Sequence, residues 1–162
     1  MSDKPAWSEK SITLRRADEK DATATAEVLI TSRAAALGAI RAPVQSDEDT
    51  KHWVETGLLP YCDVWIAEAD GQQTLALLVL DDDWIDQLYV RPEAAGLGIG
   101  SRLVELAKQH RPGGLQTRTS ITNPGAIRFY ERHGFVLAPL EPARDNLEKQ
   151  PSLRYVWSGS AA

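Results

Sequence analysis

The chain has 162 residues, 43% of them hydrophobic and 25% charged, which suits one globular domain with a real core. A net charge of −5 argues against non-specific nucleic-acid binding, which wants a basic face, and is compatible with a cationic substrate. The single cysteine, Cys62, excludes an internal disulfide framework and fits a reducing, cytoplasmic setting, and no apolar run approaches the roughly 18 residues of a membrane span.

Residues 1–10 are polar, lack an apolar signal core and read as a loose tail; residues 11–158 read as a single domain, with 159–162 as a second tail. Ile12 to Arg16 has the look of a first strand. Asp18 to Leu37 is expected to be helical, because Ala22, Ala26, Leu29 and Ile30 recur at helical spacing behind an acidic start. Ser46 caps a second short helix, with Asp49 in the capping-box position, and this helix stops near Gly57 and Pro60. Asp63 to Ala69 alternates as a strand, Asp70-Gly71 is a hairpin turn, and Thr74 to Leu80 is a near-continuous apolar strand. Asp81 to Asp83 break it before Trp84 to Val90, so three strands in succession form an antiparallel meander.

Beyond Arg91-Pro92, three glycines at alternate positions (Gly96, Gly98, Gly100) open an amphipathic helix with Ile99, Leu103, Leu106 and Ala107 on one face. Pro112-Gly113-Gly114 ends it, and Leu115 to Ile121 is a strand. Asn123 is an N-cap with Pro124 at the first helical position; the helix runs through Tyr130 to His133, with Gly134 placed as its C-terminal cap. Phe135 to Leu137 and Leu153 to Trp157 close the domain as strands around a polar loop from Glu141 to Pro151.

The glycine turn is the most informative feature. Backbone N–H groups at a helix start have no partner inside the helix, and the helix dipole adds partial positive charge, so the turn is a place to hold a phosphate. A dinucleotide turn, G-x-G-x-x-G, fails because position 101 is Ser101. A nucleotide P-loop fails because no lysine follows a glycine. A turn that merely connects strand to helix stays open on these residues alone.

Two segments together resemble the GNAT family of N-acetyltransferases. The family turn reads [QR]-x-x-G-x-[GA], and here Ala95-Gly96-Leu97-Gly98-Ile99-Gly100 follows the strand ending Leu88-Tyr89-Val90. The family pattern N-x-x-A-x-x-F-Y-E-x-x-G-F is met at each fixed position from Asn123 to Phe135. The resemblance covers Ile12 to Trp157 in element order and is specific from Trp84 to Phe135. One departure stands out: Ala95 replaces the usual Gln or Arg, and Leu97 sits where a basic residue is frequent. Both changes leave backbone amides to carry more of the phosphate grip, with Arg91 and Arg102 the nearest replacements.

The resemblance implies an α+β fold: a central, mostly antiparallel twisted sheet of six or seven strands flanked by about four helices. It implies acetyl-CoA as donor, no metal, and a primary amine of a small molecule or a protein as acceptor; a homodimer is left open. The cofactor would lie along Leu88, Tyr89 and Val90, with its diphosphate on Ala95, Gly96, Leu97, Gly98, Ile99, Gly100 and Ser101. A Leu88 or Val90 N–H would face the acetyl carbonyl. Asn123 would serve as cap, as cofactor contact, or both. Tyr130 would protonate the departing thiolate, against the plain alternative of a core aromatic.

For the general base, Asp86 is named first, because alternation places it on the sheet face of Leu88 and Val90. Asp83, Glu68, His133, Glu148 and a water relay compete with it. Trp53, Tyr61, Trp65 and Trp84 are either core or the wall of an acceptor pocket expected around Ser32 to Pro60 and Glu141 to Pro151. Covalent acetylation of Cys62 is disfavoured, since no histidine adjoins it in sequence. A non-catalytic acyl-CoA sensor or complex subunit is the alternative function. Thiol release with an amine panel separates it from an enzyme.

Overall fold

The computed structural model describes residues 11–35, 46–71, 73–139 and 152–160. The expected N-terminal tail, the end of the C-terminal one (161–162), the Glu141–Pro151 loop, Glu148 and part of the expected acceptor wall therefore lie outside the described residues, whereas Ser160 N donates to Pro112 O at 3.0 Å. Seven strands form one sheet: β1 (Ile12–Arg16), β2 (Asp63–Ala69), β3 (Gln73–Asp81), β4 (Trp84–Val90), β5 (Leu115–Ser120), β6 (Val136–Leu137) and β7 (Ser152–Trp157). Their spatial order is β1-β2-β3-β4-β5-β7-β6, and every neighbouring pair is antiparallel except β4 with β5. Four helices flank the sheet: α1 (Ala22–Ala35), α2 (Asp47–Trp53), α3 (Ile99–His110) and α4 (Pro124–Arg132).

Local chemistry sets the boundaries. Asp18 caps a 3-10 turn over Glu19–Asp21 that leads into α1, and its reciprocal bond with Asp21 completes a capping box. Ser46 accepts from the Asp49 N–H at 3.1 Å. The helical path runs past the expected stop near Gly57. It continues as a wide turn over Val54–Leu58, closed by Leu59 N donating to Val54 O at 3.0 Å. Asp70 and Gly71 take φ of +53° and +68° in the turn between Ala69 and its partner Gln73, a left-handed conformation that aspartate and glycine tolerate.

β3 is the spine of the domain. Residues 74–80 are all buried, because helices cover both faces of the sheet here. One cluster joins Ala76, Leu78, Leu80 and Ile85 to Ile99, Leu103, Val104 and Ala107 of α3 and to Tyr130 of α4. The other joins Leu77 and Val79 to Ala22, Ala26 and Leu29 of α1 and to Val54 and Leu58. The α3–α4 face and the α1–α2 face are thus separate cores divided by one sheet.

β4 carries the feature that shapes the site. Its register on β3 shifts between Val79 and Leu80: Leu80 faces Ile85, whereas Val79 faces Gln87, so Asp86 is the extra residue of a β-bulge. A bulge bends its strand and sharpens its twist. Here it falls one residue beyond the last pairing of β4 with β5, which is confined to Trp84 with Gln116 and Ile85 with Thr117. Past Ile85 the two parallel strands part and the sheet opens as a fork.

Candidate active site

Hydrogen-bond parity decides which groups face the fork. Arg91 N donates to Leu75 O at 2.8 Å, so residues 91, 89 and 87 turn their backbone groups toward β3. Leu88 and Val90 must then turn theirs toward the gap. The Val90 carbonyl accepts from the buried Ser32 hydroxyl of α1 at 3.4 Å. Among the described residues, neither the Leu88 nor the Val90 N–H finds a β5 partner. Both side chains pack on the α3–α4 core. Tyr89, expected among the cofactor contacts, instead spends its backbone on Leu77 and turns its ring to the α1 side, 5.9 Å from the Arg33 guanidinium.

The glycine turn closes the open end of the fork. Pro92–Ala94 makes one 3-10 turn with Ala94 buried, and Leu97 and Ile99 anchor the turn in the α3–α4 core. Gly96 and Gly98 hold φ of +83° and +76°, which only glycine adopts without strain. Gly98 is the N-cap of α3, and the first backbone bond in the helix is Arg102 N to Gly98 O at 3.1 Å. The N–H groups of residues 96–101 have no backbone acceptor among the described residues. A Cβ built on Gly96 or Gly98 would meet nothing within 4 Å, so the outer surface of the turn is open. A concave row of unspent donors at a helix start is a good fit for a diphosphate.

The side-chain help expected from the two arginines is absent. Arg91 Nε donates to Thr74 O at 2.8 Å and its other nitrogens lie 3.7 Å from Glu27 and 3.8 Å from Glu93. Arg102 Nη1 donates to Ile12 O at 3.1 Å. Both tie the turn to the sheet. Ser101 does have a side-chain partner, His133 Nε2 at 3.1 Å.

Tyr130 sits at the base of the fork. Its ring is buried against Phe129 and Phe135, with centroids 5.2 and 5.3 Å away. Its hydroxyl bonds Thr117, which in turn donates to Ile85 O at 3.3 Å, at the last β4–β5 pair. Burial pushes the phenol up to about 12. The ring is therefore a core aromatic, and its buried hydroxyl lies beside the last β4–β5 pair. Thr117 and Ser32 escaped the sequence reading, since a threonine in a strand and a serine in a helix carry no motif. Asn123 caps α4 by accepting from Ala126 N at 3.2 Å.

Asp86 lies on the other face from that expected. Ile85 and Leu88 both join the α3–α4 core with two residues between them, so simple alternation fails across the bulge. Asp86 is exposed on the α1–α2 side, where it, Asp63 and Asp81 act electrostatically on Cys62. Its carboxylate takes a bond from Gln87 Nε2 at 3.2 Å.

The rival bases are committed elsewhere. Glu68 pairs with Arg15 at 2.8 Å, two strands away from β4, and Asp83 accepts from Gln116 at 2.9 Å. Burial and three nearby carboxylates raise the Cys62 thiol, the opposite of what a nucleophile needs. The aromatic residues do not converge. Trp65 packs on His110 with centroids 4.7 Å apart, Trp84 meets Arg118, and Tyr61 is 80% exposed. No group of three metal-ligating side chains occurs among the described residues. No helix there is long and apolar enough to cross a membrane.

The forked mixed sheet with its glycine turn is a fold shared with known acetyltransferases, as comparison with known proteins shows. The family model for the acetyltransferase (GNAT) domain matches residues 60–137. The peptidyl-lysine N-acetyltransferase YjaB of Salmonella typhimurium is 30% identical over 99 residues, 61% of this chain and 68% of that protein. The solution structure of apo YjaB from Escherichia coli superposes with a TM-score of 0.72 at 23% identity, over 92% of this chain and 99% of that one. YncA from Salmonella typhimurium, a putative acetyltransferase solved with acetyl-CoA, superposes at 0.64 with 20% identity, over 91% and 94% of the two chains. The chain belongs to the GNAT acetyltransferase family. It is accordingly an acyltransferase with acetyl-CoA as donor, and the fork and the glycine turn are the features that suit that donor.

Proposed function

We propose that the protein moves the acetyl group of acetyl-CoA onto a primary amine by direct attack, and that the amine is a lysine side chain of a protein or peptide. The acceptor class rests on the relative named a peptidyl-lysine N-acetyltransferase; a small amine is the second candidate. The observation that carries the reading is the fork, with two unspent strand amides beside an amide-lined turn. A cytoplasmic setting is part of the proposal, and the lone cysteine is compatible with it.

Acetyl-CoA supplies an activated thioester. The amides of residues 96–101 grip its diphosphate. Leu88 and Val90 hold its arm as a missing strand would, and one of their N–H groups donates to the carbonyl oxygen as negative charge gathers there. Asn123, at the start of α4, borders the arm from across the gap. The Tyr130 hydroxyl turns from Thr117 to the departing sulfur. The amine approaches from the α1–α2 side, where Asp86 takes its proton. An alkylammonium with a pKa near 10.4 must lose that proton before it can attack.

The test is incubation with acetyl-CoA and a panel of lysine peptides and small amines, reading thiol release and acetylated product by mass spectrometry. Thiol release without any acetylated amine would overturn the transfer reading. Asp86→Asn is expected to lower kcat/KM for the amine by about tenfold with unchanged acetyl-CoA affinity. An unaltered rate would pass the proton to water. Ala95→Arg, which restores the side-chain cation at an exposed position, is expected to tighten acetyl-CoA binding by about threefold. Calorimetry showing weaker or equal binding would show that the amides suffice.

A further inference from the structure

His133, one of the competing base candidates, is among the described residues the side chain bonded to Ser101, the last residue of the proposed phosphate turn. Ser101 occupies the first turn of α3. Side chains there lean toward the helix N-terminus, so the hydroxyl leans toward the open amides. It is only partly buried and borders, with Leu14, Arg102, Glu105, Leu106 and Gln109, an open groove along the flank of α3 toward β1. A second partner can therefore reach it.

The surroundings hold the imidazole still. Its ring packs at a tilt against Phe129 with centroids 4.7 Å apart, and the Lys108 ammonium donates to the His133 carbonyl at 2.6 Å. Lys108 also lies 5.1 Å over the Trp157 ring, which fixes it from β7. The charged groups around the imidazole are Glu105 and Lys108 from α3 and Arg132 from α4; Glu105 stands 3.8 Å from Nδ1.

Resting on the reading of residues 96–101 as a diphosphate grip, we infer that His133 is a positioning residue that sets Ser101 as donor or acceptor toward the diphosphate and so makes cofactor affinity depend on its own protonation. A hydroxyl has one proton. While the imidazole is neutral with its proton on Nδ1, Nε2 is an acceptor and takes that proton, and the serine offers the diphosphate only lone pairs. Once the imidazole is protonated, Nε2 donates to Ser101 Oγ and frees the hydroxyl proton for a phosphate oxygen. The imidazolium also places a positive charge one bond behind the grip, at the turn where Ala95 offers none.

Burial, reinforced by Lys108, lowers the His133 pKa below its ordinary 6.5, and Glu105 opposes this only in part. The sign follows. At neutral pH the imidazole is uncharged and the weaker grip prevails; affinity rises as pH falls through the His133 pKa. A bound diphosphate favours the imidazolium, so binding takes up a proton.

Dephospho-CoA is the probe, because it lacks the phosphate monoester whose own titration near pH 6 would interfere. Calorimetry from about pH 5.5 to 8.5 is run in two buffers of different ionisation enthalpy. The wild type is expected to bind about fivefold tighter at the acid end, with proton uptake near the midpoint. In His133→Gln, a fixed amide donor to Ser101, the slope disappears and affinity at the alkaline end equals or exceeds that of the wild type. In Ser101→Ala most of the slope is lost while the histidine remains. Flat wild-type affinity, or a full slope surviving in either variant, overturns the inference and leaves the diphosphate grip standing. Failure to bind the probe at any pH sinks the grip and the inference together.

Discussion

Tyr130→Phe is expected to lower kcat by more than about tenfold, roughly 1.4 kcal/mol or more of barrier, while the Kd for acetyl-CoA stays within about twofold. The substitution keeps the ring, so the contacts with Phe129 and Phe135 persist. Thr117 keeps its own acceptor, Ile85 O, so the loss in stability is about one hydrogen bond, near 1 kcal/mol. The phenol at about 12 stays protonated throughout the working range and is always able to donate. It is a weaker acid than a thiol of pKa about 8.5, so handing its proton over completely runs uphill by about 5 kcal/mol. In the proposed mechanism the hydroxyl would therefore act by a hydrogen bond to the sulfur as charge builds there, without giving up its proton in that step. A second expectation comes from the same pKa: any alkaline limb of the rate profile below about pH 10 belongs to another group and persists unchanged in Tyr130→Phe. Pre-steady-state acetyl transfer at saturating acetyl-CoA reads both. A rate equal to the wild type would leave Tyr130 a core residue only.

The parts of this molecule legible in its sequence are those set by local chemistry. Apolar alternation placed β2, a near-continuous apolar run placed β3, Asp70-Gly71 marked their hairpin, and Asn123-Pro124 started α4 where the structure starts it. The glycine turn was legible because its spacing, alternate glycines ahead of an apolar helical stripe, is itself the geometry of a helix start with open amides. The face of Asp86 was not legible. Alternation is a rule about unbroken strands, and the bulge that breaks it depends on how β4 registers against β3, a non-local choice. The fates of Arg91 and Arg102 were hidden for the same reason. Each reaches a backbone carbonyl on a strand distant in sequence, Thr74 O and Ile12 O, and nothing near either arginine names those partners. Thr117 shows the converse: its neighbours mark it as an ordinary strand residue, and only the packing of α4 over β5 brings the Tyr130 hydroxyl to it.

Gly98→Val is expected to weaken acetyl-CoA binding by more than about tenfold and to lower the melting temperature by several degrees, whereas Gly100→Ala leaves both nearly unchanged. The two glycines share a motif and differ in physics. Gly98 sits at φ +76°, where a β-branched residue is a genuine outlier, and the left-handed conformation alone costs roughly 1–2 kcal/mol. Its side chain would also project into the open space beside the turn, where the proposed diphosphate grip needs close backbone approach. Gly100 has a helical backbone in the first turn of α3, so alanine adds no strain there and gains up to about 1 kcal/mol of helix propensity. The new methyl would rest 3.4 Å from two Phe129 ring carbons and 3.9 Å from Val90 Cγ2, a close contact that the rim of the ring can yield to. Larger residues at 100 would instead wedge α3 from α4 and carry Tyr130 away from the fork. Thermal unfolding separates strain from lost binding, since the strain lowers stability without ligand and the blocked cradle shows only in the ligand-induced shift. If Gly98→Val lost stability yet kept its affinity for acetyl-CoA, the phosphate would have to lie elsewhere than over this turn.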